Sequence, residues 1–120
     1  MANTFEPRSI VQTIAEAIIL SGATTSQEID LFGYTLMGFH LPAAFTGTTL
    51  KIQTATVSGG TFQTAFDAVN NADFSFAIAA GKYVSIPDFA NITAGMRFIK
   101  IVSGSAEGAD RTITLAVRPV

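Results

Sequence analysis

The chain has 120 residues, of which 48% are hydrophobic and only 13% charged, with a net charge of −2 and no cysteine. That length buries one core of two packed layers and is too short for two ordinary domains. The composition sets aside disulfides, thiol catalysis and cysteine-ligated zinc, and the scattered Lys and Arg at positions 8, 51, 82, 97, 100, 111 and 118 form no basic stripe for a phosphate backbone, so nucleic acid is not an expected partner.

With so little charge, the surface is either covered by small and neutral polar residues or partly apolar and hidden against other protein. A low net charge opposes self-association only weakly, and a homo-oligomer is expected. Glu16, Gly22 and Glu28 to Asp30 interrupt the richest apolar region, so no membrane span is expected. The N-terminus has Glu6 and Arg8 and no apolar run ahead of a cleavage site, which reads as a protein without a signal peptide, made in a cytoplasm.

Residues 1–9, with Asn3, Thr4, Glu6 and Pro7, read as an arm that orders only when something holds it, and residues 10–120 as a single β-sandwich domain. Ile10, Ile14 and Ile18 fit a helix at i, i+4, i+8, with Pro7 suited to a first turn, yet they also share one strand parity with Gln12, Glu16 and Leu20. Thr13 and the pair Ile18-Ile19 favour the strand. Tyr34 to Leu41 is the next strand pattern. Thr48 to Thr54 is the clearest, with Leu50 and Ile52 on one face and Thr49, Lys51 and Gln53 on the other. Ser58-Gly59-Gly60 reads as a hairpin loop into Thr61 to Phe66, and Ala80-Gly81 as a second one joining Phe74 to Ala79 with Lys82 to Ile86. Met96 to Val102 follows. A last strand begins at Arg111, where Ile113, Leu115 and Val117 alternate with Thr112, Thr114 and Ala116 until Pro119. Short β-rich segments punctuated by Gly, Pro, Asn and Asp predict an all-β, antiparallel sandwich in the jelly-roll style.

Candidate chemistry is sparse. His40 is the single histidine and sits in an apolar strand pattern, where packing or an interface explains it better than zinc or a Ser-His-Asp triad. Asp67, Asn70, Asn71 and Asp73 share one loop and could offer oxygens to calcium, but the spacing is not that of a calcium loop and a solvated turn with Asx hydrogen bonds is the simpler reading. Glu107, Asp110 and Arg111 form a second polar cluster, read as an exposed, individually weak ion pair fixing a loop at the start of the last strand. Phe at 32, 39, 45, 62, 66, 74, 76, 89 and 98 is assigned to core and interface packing, since Phe lacks the polar handle of the Trp and Tyr platforms that bind sugars. No catalytic, cofactor or metal residue is assigned, and an enzyme is not expected.

One run does carry a likeness. Glu28-Ile-Asp-Leu-Phe-Gly-Tyr-Thr-Leu-Met-Gly-Phe-His-Leu-Pro-Ala-Ala-Phe-Thr-Gly-Thr-Thr-Leu-Lys-Ile-Gln53 resembles small virion proteins of tailed bacteriophages and prophages, in which an Ile-Asp-Leu-Gly-Gly stretch precedes a strand, a Pro-Ala-Ala-aromatic turn and a Leu-x-Phe/Ile-Gln strand. The likeness continues through Tyr83-Val-Ser-Ile-Pro-Asp-Phe89, Arg97-Phe-Ile-Lys-Ile-Val-Ser-Gly104 and Ala109-Asp-Arg-Thr-Ile-Thr-Leu-Ala-Val-Arg-Pro119, and so covers residues 28–119. It departs at Phe32, where the pattern has the first Gly of the pair, and at Ser58-Gly-Gly-Thr-Phe62, where the pattern has Asp-Gly-Gly-Thr-Phe. The resemblance implies a capsid decoration (cement) protein on the virion surface, a homotrimer whose partner is the major capsid protein. The alternative it leaves open is a tail or head fibre module binding a host surface glycan through Asn70 to Asp73 and Ser103 to Asp110.

Overall fold

The computed structural model describes residues 14–119, and the expected arm over residues 1–9 lies outside them. Among the described residues, eleven strands and one short helix follow in the order β1 (Ile14–Ile19), β2 (Ile29–Asp30), β3 (Tyr34–His40), β4 (Thr49–Ala55), β5 (Gln63–Thr64), β6 (Phe66–Asp67), β7 (Ala72–Asp73), β8 (Phe76–Ala77), β9 (Tyr83–Ser85), α1 (Phe89–Thr93), β10 (Phe98–Ser103) and β11 (Arg111–Pro119). They make two antiparallel sheets, one ordered β1-β11-β3-β9 and the other β2-β10-β4-β5 with β8 also on β4, plus the small β6–β7 pair. The fold is an all-β sandwich, as the alternating patterns predict.

The alternation explains the layering. Ile113, Leu115 and Val117 of β11 are buried with Ala17 and Ile19 of β1, facing Leu50 and Ile52 of β4 and Ile99 and Ile101 of β10. Four of the phenylalanines hold one flank of this core. Phe39 sits 5.4 Å edge-on from Phe89 and 6.5 Å from Phe76, and Phe74 stacks on Phe76 at 5.9 Å. Burying each such ring contributes about 1.5–3 kcal/mol, with roughly 0.5–1.5 kcal/mol more per well-placed ring pair. Where β11 passes from Ala116 to Val117 its partners jump from Gly38 to Leu36, leaving Met37 as the extra residue of a bulge.

Two expectations are corrected. Ala80-Gly81 does not close a hairpin: β8 pairs with β4 in one sheet and β9 with β3 in the other, so this turn carries the chain across the sandwich. Gly81 N–H and Leu41 N–H fasten it to the other sheet through Pro42 O and Lys82 O. The pattern over Thr61 to Phe66 breaks into β5 and β6 around buried Ala65, whose N–H donates to Ile52 O. The Ser58–Gly60 loop does join antiparallel strands, β4 and β5. Helix α1 was not among the expected elements; Asp88, in left-handed backbone at φ 59°, turns the chain into it after Pro87.

Side chains take the place of a neighbouring strand along part of β1 and along β3 beyond the end of β9. Gln27 lies along β1, its Oε1 accepting from Ile18 N–H at 2.9 Å and its amide donating to Glu16 O at 3.2 Å, as a neighbouring strand would. On the far side β9 covers only Gly38 to His40, and beyond it Thr93 takes over. The Thr93 hydroxyl accepts from Leu36 N–H at 3.0 Å and lies 2.9 Å from Phe89 O and 2.8 Å from the Thr35 hydroxyl, fully buried. Thr93→Val keeps the shape and leaves Leu36 N–H without a partner, so urea unfolding is expected to show a loss of about 1–3 kcal/mol, with Thr93→Ser less affected. Equal stability for the Val variant would contradict this assignment.

Candidate functional site

The connections gather at two ends of the sandwich, and the two ends differ in chemistry. At one end Glu107 of the β10–β11 loop is buried, its carboxylate held by the β3–β4 connection and by Arg111 and its backbone carbonyl by the β1–β2 connection. Oε1 accepts from Thr46 N–H at 2.8 Å and from Arg111 Nε at 3.1 Å, and Oε2 accepts from the Thr46 hydroxyl at 2.7 Å and Gly47 N–H at 3.1 Å. Its carbonyl accepts from Gly22 N–H at 2.9 Å, and Asp110 Oδ1 accepts from Ser21 N–H at 2.8 Å. The pair Glu107–Arg111 therefore exists as expected, but its carboxylate is buried and its arginine half-buried rather than exposed, and that changes its weight.

At the other end Asp30, Phe32 and Arg97 form a polar-aromatic platform. Leu31 O accepts from Tyr34 N–H, closing a turn whose central residues Phe32 and Gly33 have φ of 53° and 80°. Two positive φ values make this a type I′ turn, a conformation suited to Asn-Gly. A side chain like Phe in it costs about 1–2 kcal/mol. Asp30 Oδ1 holds the turn by accepting from Phe32 N–H at 2.9 Å, and the same carboxylate takes both Nε and Nη2 of Arg97, at 3.1 and 3.3 Å. The guanidinium in turn lies between two rings, 5.1 Å from the centre of Phe32 and 4.9 Å from that of Phe98. Despite this support Phe32 is 72% exposed.

Three depressions adjoin the platform. A hollow of about 260 Å³ is lined by Ala15, Leu31, Phe32, Tyr34, Val117 and Asp30. A trough lies between Phe32 and Met96, and a third depression runs from Arg97 past Thr54 and Gln63. Nearby, Glu28 takes Gly59 N–H at 2.7 Å and the Ser58 hydroxyl, so the β4–β5 hairpin tip is fastened to the segment leading into β2.

The remaining sequence candidates lie elsewhere. His40 is exposed at the end of β3, its ring 4.5 Å from that of Tyr83, the residue opposite it on β9. Asp67 and Asn70 close on one another at the β6–β7 tip, where Asp67 accepts from Val69 N–H at 2.9 Å and from the Asn70 amide at 2.6 Å, while Asp73 pairs with Lys51 at 3.4 Å. Among the described residues no group of three or more His, Cys, Asp or Glu is placed to hold a metal. Comparison of the chain with protein-family models, with curated proteins and with solved structures gave no match.

The electrostatics follow the geometry. The Arg97 guanidinium holds the Asp30 carboxyl below its ordinary value, the Asn70 amide does so for Asp67, and Gly59 N–H does so for Glu28. Burial pushes the Glu107 carboxyl up, but the donors from Thr46, Arg111 and Gly47 together outweigh it and hold the group below the usual range. A carboxylate with a depressed folded value adds stability that is complete above its unfolded value and lost as pH falls through the folded one. Glu107→Gln keeps one acceptor but turns an amide toward backbone donors, and is expected to lower stability at neutral pH by about 2–4 kcal/mol. Unfolding measured from neutral pH downward should show the gap between variant and parent narrowing in acid; a constant gap would show that the charge is not what matters.

Proposed function

We propose that this chain is a virion structural protein of the capsid decoration type, which binds the outer surface of a phage head and stabilises it by bridging major capsid subunits. The reading joins the resemblance of residues 28–119 to one structural observation. A sparsely charged sandwich leaves Leu20, Phe32, Val57, Phe66, Val69 and Tyr83 exposed. Large apolar side chains kept on such a surface suit contact with other protein, where aromatic residues and Arg dominate the energetics. We read the order β1-β11-β3-β9 over β2-β10-β4-β5, with the chain passing from sheet to sheet, as a jelly roll, an architecture that occurs in viral capsid domains. Many copies, each burying modest apolar area at about 25 cal/mol per Å², would oppose internal pressure without any single strong contact.

The fibre alternative draws less support. In its two proposed glycan-binding loops several polar groups are engaged within the chain, Asn70 with Asp67, Asp73 with Lys51, Glu107 with Thr46 and Asp110 with Ser21. On the decoration reading, purified virions carry the protein at many copies per particle, and particles lacking it release their DNA at a lower temperature. A few copies confined to the tail, or heads equally heat-resistant without it, would rule the reading out.

A further inference from the structure

Phe32 is costly to its own fold. Its backbone occupies a region that glycine or asparagine would fill without strain, its side chain is largely in water, and its ring is braced by the Arg97 guanidinium 5.1 Å from its centre. The turn is nevertheless held firmly, because Asp30 accepts from the Phe32 N–H and anchors the Arg97 that braces the ring. A strained, pre-set and exposed aromatic residue gains its compensation from a contact beyond the monomer.

We propose that this contact is a second copy of the same chain, paired about a two-fold axis so that Phe32 of each copy enters the other's hollow between Ala15, Leu31, Tyr34 and Val117. Shape supports the pairing: knob and hollow lie side by side, Phe32 itself forming one wall, so one two-fold axis makes both insertions at once. Charge supports it as well. Among the described residues, Asp30 and Arg97 are the only charged ones lining the hollow and the trough, one of each sign and 3.1 Å apart. A two-fold copy therefore presents an acid to a base rather than like to like. This inference is independent of the capsid reading, since it concerns the free protein.

The test is sedimentation velocity of the full chain from micromolar to millimolar concentration, for the parent and for Phe32→Asn. Asparagine suits the turn and removes the ring. The parent is expected to pass reversibly from one-copy to two-copy mass, while the variant associates at least tenfold more weakly and melts no lower than the parent at the dilute end. In parallel, amide shifts of the labelled parent should move with concentration at Leu31 to Tyr34 and Gly95 to Arg97. The proposal is overturned by a parent that stays monomeric, whether its own residues 1–13 or another protein fill the hollow. A three-copy species, a variant that associates like the parent, or concentration-dependent shifts confined to other surfaces would overturn it too.

Discussion

The buried carboxylate of Glu107 is the constraint on which the arrangement of the sandwich depends. A chain that passes repeatedly between two sheets needs connections that cross the ends, and those loops cannot pair with one another as strands do. Here three of them, β1–β2 at Gly22, β3–β4 at Thr46 and Gly47, and β10–β11 itself, meet at one residue. Removing a carboxylate from water is unfavourable by several kcal/mol, and only a full set of donors offsets it. Among the described residues, no buried side-chain polar atom is left without a partner. The same accounting governs the edges of the first sheet, where Gln27 and Thr93 stand in for missing strands.

With one end closed by hydrogen bonds, the opposite end is free to be apolar. There the ion pair Asp30–Arg97 does not bind loops across the core; it braces a ring that faces outward. The Glu107 end and the Phe32 end thus use the same pairing of Arg with a carboxylate for different purposes, set by burial: Glu107 has no exposed side-chain surface, whereas Arg97 keeps 58% of its own. The strained backbone of Phe32 at the tip of this end lowers the stability of the monomer rather than adding to it.

Much of the fold was legible in the sequence, and the misses have physical causes. Strands with one wet face, such as β4 and β11, were visible through their period of two, within a residue or so of their ends. The two-residue strands β5 to β8 are too short to show a period. Ala80-Gly81 has the composition of a turn, but composition cannot tell whether the strand that follows pairs with the one before or crosses to the other sheet. The polar cluster at Glu107, Asp110 and Arg111 was found, yet its burial depends on Thr46 and Gly47, about 60 residues away in sequence. Phe32 was assigned to core and interface packing, and the signal for its left-handed backbone was also present: it stands beside Gly33 where the resembled pattern carries a glycine pair, and two glycines in a turn imply positive φ.

Amide hydrogen exchange at neutral pH tests most directly whether Glu107 ties three connections into one unit. The N–H groups of Gly22, Thr46 and Gly47 lie in loops, but they should exchange only through global unfolding, at the same opening free energy as the core amides of Ile101 and Leu115. Exchange of those three amides orders of magnitude faster than the core, at the rate of ordinary surface loops, would contradict it.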